Sequence, residues 1–336
     1  MLNIIVKTNV KKWLPYALFL LAGCAIGYII HDYMEDREDS IMEVKREGSH
    51  SYINPLLECD TSGNTMRRKE LSFFKNEVIE VVRKSIDSGR VQHMTVYFRE
   101  LNDGIWFSIG ETEHFVPASL RKVPMMIALL HQAQADPGFL TKQIKNTLRY
   151  EHTSKQSFQP DEIIKPGQMY TVDELIYRMI VYSDNDAFTL LAATVDPREL
   201  DQVYSLLSMG KPRTQLKDDF LSVMTYASFF RILYNATYLN HEFSERALEY
   251  LSNAFFAHGI VGGVPENIKV AHKFGEYVDT STGLKQLHDC GIVYYPMHPY
   301  LVCIMSKGGE FEALADTIRT ISSTVYQNVA KEYTVH

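Results

Sequence analysis

The chain has 336 residues, 46% of them hydrophobic and 22% charged, the balance of a protein that buries a sizeable core. Its length suits one large domain or two small ones, and no repeat or low-complexity tract interrupts it. A formal net charge of −7 lacks the basic footprint of a nucleic-acid binder, so no nucleic-acid partner is expected.

Residues 1–12 are short and basic, with Lys7, Lys11 and Lys12. Residues 13–30 read WLPYALFLLAGCAIGYII, 18 positions without a charge and the lower end of what crosses a bilayer. Asp32, Glu35, Asp36, Glu38 and Asp39 come next. The asymmetry places residues 1–12 in the cytoplasm, a membrane anchor at 13–31 and the rest outside. A cleavable signal peptide is one alternative. Another is a lipoprotein, because LAGC at 21–24 resembles a lipoprotein cleavage box with Cys24 as the lipidated residue. All three export the large domain. Residues 32–68 are polar and without clear periodicity, which reads as a linker.

The remaining stretch, 69–330, reads as one folded domain. Leu71, Phe74, Val78, Val81 and Val82 mark an amphipathic helix over residues 70–86. VQHMTVYFREL and GIWFSIG come after it, joined by Asn102-Asp103-Gly104, a hairpin signal. The pattern then turns helical over residues 120–134, 171–182, 186–193, 198–207 and 220–234. Strands return in VAHKFGEYV, HDCGIVYY and YLVCIMSKG, and a helix over 311–330 closes the domain. This order predicts an α+β fold: one antiparallel sheet flanked by the terminal helices, plus an all-helical subdomain at about 118–260. A cleft between the two halves is the natural place for a site.

The four cysteines, Cys24, Cys59, Cys290 and Cys303, form no CxxC or metal-spaced cluster. Cys290 and Cys303 flank an apparent hairpin and are expected as buried free thiols. The twelve histidines are scattered, none paired at metal spacing on one helix. His288 and Asp289 at a strand start read as structural, and Tyr294, Tyr295, Phe255 and Phe256 as packing. No metal and no organic cofactor is expected.

Residues 115–126 read FVPASLRKVPMM. Ser119 and Lys122, three apart, share one helix face, where an amine can take a hydroxyl proton and make a nucleophile. Two other Ser-x-x-Lys stretches, Ser72 to Lys75 and Ser208 to Lys211, lack that setting. Ser119 comes soon after Pro117 and opens an apolar helical run, so free N–H groups and the helix dipole would favour a developing oxyanion there. Downstream stand Ser183-Asp184-Asn185 after a helical segment and Lys273-Phe274-Gly275 on a predicted strand. Without that order, Ser119 would be an ordinary N-cap and the others loop polars and a strand lysine.

In this order and setting the three motifs make the chain resemble the serine β-lactamase and penicillin-binding superfamily, and within it the class A-like β-lactamases, over about residues 68–330. FVPASLRK, YSDNDA, VAHKFGE and HDCGIVYY carry the resemblance further. It implies a β-lactamase-like fold and these roles. Ser119 is the acyl-accepting nucleophile and Lys122 a candidate base. Ser183 relays a proton to the leaving nitrogen, and Asn185 binds the substrate's amide side chain. Lys273 supplies positive charge to the cleft and to the substrate carboxylate, with Lys122 kept neutral by that second cation. The backbone N–H groups of Ser119 and Glu276 form the oxyanion hole, beside Gly275.

Two departures matter. Phe274 stands where the family has a hydroxyl that helps bind the substrate carboxylate, and its ring is expected to narrow the cleft. SMGKPRTQLKDDFLS, at 208–222, holds no glutamate to activate the deacylating water. Asp218 and Asp219 are weak substitutes, and Glu199 reads as a surface residue. The expectation is therefore a membrane-anchored serine hydrolase at the bacterial cell membrane, acting on a β-lactam or a peptidoglycan stem-peptide amide. The alternatives are a D,D-peptidase-like protein with slow deacylation and a non-catalytic cell-wall-binding relative.

Overall fold

The computed structural model describes Gly23 and residues 44–59, 65–102, 104–148, 156–160, 162–206 and 220–333. It divides into two units. Met1–Glu43 with Cys59–Glu70 form the first, of which few residues are described; Val44–Glu58 with Leu71–His336 form the second. Apart from Gly23, the expected anchor at 13–31 lies outside the described residues, among which no helix is long and apolar enough to cross a membrane.

The chain runs through strands β1 (Val44–Arg46) and β2 (Leu56–Cys59), helix α1 (Thr65–Asp87), and the hairpin β3 (His93–Glu100) and β4 (Trp106–Ile109). A 3₁₀ turn, Ala118–Arg121, leads into α2 (Lys122–Ala135). Then come the short strands β5 (Gln143–Lys145) and β6 (Met169–Thr171), and helices α3 (Val172–Val181), α4 (Asn185–Ala192) and α5 (Pro197–Leu206). Helices α6 (Val223–Tyr234) and α7 (His241–Ser252) precede strands β7 (Val270–Val278), β8 (Lys285–Val293) and β9 (Tyr300–Gly308), and α8 (Phe311–Tyr333) closes the domain.

The antiparallel sheet has the order β4-β3-β9-β8-β7, with the two ends of the chain meeting where β3 pairs β9. One face packs on α1 and α8. There Phe74, Phe98, Phe107 and Tyr300 meet Leu314, Ile318, Ile321 and Val325 in one apolar layer. The other face, with Ala271, Cys290, Ile292, Leu301 and Met305, packs on the helical subdomain. At the centre of that subdomain Lys122 to Leu130 are all buried, which is why α2 reads apolar all round rather than striped. Helix starts carry their own signals. Thr171 accepts from the Glu174 N–H at 3.0 Å, Ser222 from Thr225 at 3.2 Å and Asn240 from Phe243 at 2.9 Å.

Three sequence expectations change. Helix α7 escaped notice because its charged residues dilute an apolar stripe of Ala247, Leu248 and Leu251. Cys290 and Cys303 are not free thiols: they face each other across β8 and β9 and form a disulfide, with Cα atoms 3.9 Å apart. Strand register, which spacing alone does not reveal, makes them partners. Part of the stretch read as linker is docked on the domain. The Glu245 carboxylate of α7 accepts from the N–H groups of Ser51, Tyr52 and Ile53, and Arg46 donates to the carbonyls of Asn54 and Leu101.

Candidate active site

Ser119 sits within the 3₁₀ turn, one turn ahead of α2, rather than at the cap of the helix itself. The approach to it is fixed from several sides. Phe115 bridges Leu221, the Val116 N–H donates to Gln286 Oε1 at 3.0 Å, and His288 Nε2 lies 3.0 Å from the Val116 carbonyl. Ala118 then takes a φ of 49°, in the left-handed region that a non-glycine residue enters only at a cost. The turn leaves Ser119 half-buried, while Leu120 and Lys122 point inward.

The second piece is just as constrained. Ser183 has a φ of 52° and is fully buried. Asp184 caps α4, its carboxylate accepting from the N–H groups of Asp186 and Ala187 at 2.8 and 3.0 Å and from Ile164 at 3.0 Å. Asn185 opens that helix. Local backbone strain at both serine-bearing corners is the sort that persists where surrounding structure over-determines it, commonly at functional sites.

Lys122 and Lys273 converge on the Ser183 hydroxyl. The Lys122 amine donates to Ser183 Oγ at 3.1 Å, to the Ser183 carbonyl at 2.5 Å and to Asn185 Oδ1 at 2.8 Å. The Lys273 amine donates to Ser183 Oγ at 3.0 Å and to the Phe274 carbonyl at 2.9 Å. Burial is the first cause that pulls Lys122 well below the usual lysine range, with the Lys273 charge second and Asp184 opposing. Burial likewise lowers Lys273 to about 7, against the pull of Asp289 and Glu276. The second cation thus adds to the downward pull on Lys122, but loss of water does more.

Strand β7 delivers Lys273 from the sheet edge. Gly275 lies where β7 runs close over the Ser119 turn, a place tight for any side chain. A Cβ there would lie 3.1 Å from Leu120 Cγ, 3.2 Å from Leu120 N and 3.3 Å from the Pro117 carbonyl. The next residue, Glu276, contributes a side chain that sequence reasoning did not foresee. Its carboxylate accepts from the N–H groups of Ser157 at 2.5 Å and Phe158 at 3.2 Å, and burial raises its pKa. Gln156 Nε2 donates to the Ser183 carbonyl at 2.8 Å. Residues 156–158 are thereby tied to both Ser183 and β7, and they come from a polar loop with no motif to flag them.

Phe274 does not stand in the cleft as expected. Strand alternation turns it to the α8 side, where its ring is 1% exposed and stacked on Phe256, centroids 4.3 Å apart. Lys273 Nζ lies 4.3 Å from the Phe274 centroid, so the ring also shields that amine from water. Glu199 is not a free surface residue either: half-buried, its Oε2 lies 2.6 Å from His131 Nδ1. Asp218 and Asp219 fall outside the described residues.

The hydrogen bonds gather Lys122, Ser183, Asn185 and Lys273 from the start of α2, the Ser183–Asn185 corner and β7, and Ser119 lies on the 3₁₀ turn that leads directly into Lys122. A half-buried serine beside a buried amine with weakened proton affinity, and a second hydroxyl bridging two amines, suit acyl transfer. Known proteins point the same way. No curated protein matches the chain. Among solved structures, a mutant of PBP-A, an acyl-enzyme complex with penicillin G, is 19% identical with a TM-score of 0.63; the match covers 76% of this chain and 97% of that one. A class A β-lactamase from Mycobacterium abscessus is 18% identical, with a TM-score of 0.62 and coverages of 76% and 99%. Another, representative of class A and from Bacteroides cellulosilyticus, is 16% identical, with a TM-score of 0.66 and coverages of 77% and 99%. These likenesses establish the fold. The model of the beta-lactamase enzyme family matches residues 76–329, most of the chain, so this protein belongs to that family of serine hydrolases.

Proposed function

We propose that Ser119 takes the acyl group of a β-lactam or of a peptidoglycan-type amide, on a domain held at the outer face of a bacterial membrane by residues 13–31. The convergence of two buried lysines on Ser183 carries this reading. Neutral Lys122 accepts the Ser119 proton as Oγ attacks the carbonyl carbon. The oxyanion is held by the backbone N–H groups of Ser119 and Glu276. As the C–N bond breaks, the proton passes through Ser183 to the leaving nitrogen. Asn185 and Lys273 orient the substrate. Water then releases the acyl group and regenerates Ser119.

Export is supported by the charge asymmetry around residues 13–30 and by the Cys290–Cys303 bond, since such bonds persist in oxidising compartments. A second reading, slow deacylation as in a penicillin-binding protein, is favoured by the lack of a glutamate at 208–222 and by the missing hydroxyl at Phe274.

The test mixes the full-length chain with penicillin G and follows intact mass over time. A mass increase on Ser119, absent in Ser119→Ala, is expected. A persistent adduct selects the second reading, and a transient adduct with drug hydrolysis the first. No adduct with any of several β-lactams would overturn both and leave a non-catalytic relative.

A further inference from the structure

Far along the chain from the motifs, the docked segment before α1 ends in an uncommon turn. Gly48 and Ser49 both lie in the left-handed region, with φ of 71° and 64°. The Glu47 N–H donates to the Pro55 carbonyl and the Gly48 N–H to Asn54 Oδ1. This curl turns Glu47 and His50 towards one spot, and His241, the first residue of α7, meets them there. His50 Nε2 is 3.6 Å from Glu47 Oε1, and His241 Nδ1 is 3.7 Å from Glu47 Oε2. One donor atom from each of the three residues lies within 4.8 Å of the others. The two imidazoles meet edge to face, centroids 5.4 Å apart, rather than stacked.

We propose that Glu47, His50 and His241 bind one divalent transition-metal ion, zinc foremost, which fastens the docked segment to α7. Two imidazoles and a carboxylate are a donor set zinc favours. Zinc–nitrogen and zinc–oxygen bonds of about 2.0–2.2 Å in a tetrahedron put donor atoms roughly 3.4 Å apart. The 3.6 and 3.7 Å contacts are made to the two different Glu47 oxygens, and a set of one donor atom per residue lies within 4.8 Å, so the side chains close in by rotation to reach that spacing. The side chains are 38%, 25% and 48% exposed for Glu47, His50 and His241, so an ion has a path in and water a fourth position. An exposed carboxylate between two histidines would add little on its own as an ion pair. A metal bound there joins residues almost two hundred positions apart. It complements the Glu245 carboxylate, which already holds the Ser51–Ile53 backbone on the same helix.

The test uses the full-length chain stripped with a chelator, titrated with zinc by calorimetry, with the unfolding midpoint followed in parallel. One saturable zinc per chain and a midpoint that rises with zinc are expected. His241→Ala should weaken that binding at least about tenfold, since even the outer partners of metal ligands cost that much, and abolish the midpoint shift. Glu47→Gln, which keeps size and the fold's other contacts, should do the same. No saturable uptake, or uptake unchanged in both variants, overturns the proposal.

Discussion

The two sides of β7 differ sharply though they alternate along one strand. Towards the helical subdomain it presents Lys273 and Gly275; towards α8 it presents His272 and Phe274. On the α8 side the charged and aromatic groups find partners, though the buried Nε2 of His272 has no hydrogen-bond partner among the described residues. Phe274 stacks on Phe256, and His272 Nδ1 lies 2.7 Å from Asp289 Oδ1, while Asp289 Oδ2 accepts from the Ile260 N–H at 2.8 Å. Gly291 and Gly259 leave room for that pair, since a Cβ at either would collide with His272 or Asp289. On the cleft side two lysines are buried around a single hydroxyl, with no carboxylate bonded to either amine among the described hydrogen bonds. One side is built for stability. The other holds charge where charge is disfavoured, the arrangement by which a site shifts a pKa towards its task.

If that division is right, changes on the two sides should act on different observables. The largest effect on reaction is expected at Lys122. Lys122→Met removes the base and a buried amine together. Acylation by penicillin G should fall by about 10²–10⁴-fold, the range of general base catalysis, while the unfolding midpoint rises. A slower variant that is also less stable would mean that the amine holds the cleft together, and the division would fail.

Phe274 tests the opposite side. Phe274→Ala removes a ring packed on Phe256 and should cost about 3–5 kcal/mol of stability in denaturant titrations, as aromatic truncations in cores do. Below its lowered melting point the variant should still form the Ser119 adduct. Loss of the adduct in a folded variant would show that the ring acts on the cleft after all, as the sequence suggested.

How far these sides could be read beforehand depended on distance along the chain. The sheet, α2 to α6 and the helical insertion came from local periodicity and turn residues. Ser119, Lys122, Ser183, Asn185 and Lys273 could be singled out as candidates because each motif is a few residues long and the motifs stand in a fixed order. The features that stayed hidden depend on register or on pairing of remote segments. The Cys290–Cys303 bond needs the β8–β9 register. The facing of Phe274 needs the strand's orientation on the sheet. Glu276 with Ser157, and Glu47 with His241, bring together residues more than a hundred positions apart. Nothing in a linear pattern marks such pairs.

The smallest net change is expected at Lys273, because two effects oppose there. Its folded-state pKa of about 7 lies below the ordinary 10.5. Below about pH 7 both the folded and the unfolded chain carry the charge, and the full penalty of burying it weighs on the fold. Between about 7 and 10.5 the unfolded chain binds the extra proton, so the penalty shrinks as pH rises and is gone above 10.5. Lys273→Met removes that penalty and also the hydrogen bonds to Ser183 Oγ and the Phe274 carbonyl, worth about 1 kcal/mol each. The variant should therefore be more stable than the parent on the acid side of this window and less stable on its alkaline side. Urea titrations at both ends measure it. A difference of one sign and size at both ends would show that Lys273 titrates as an ordinary solvated lysine. The cleft side of β7 would then differ from the α8 side in shape alone, not in the cost of its charge.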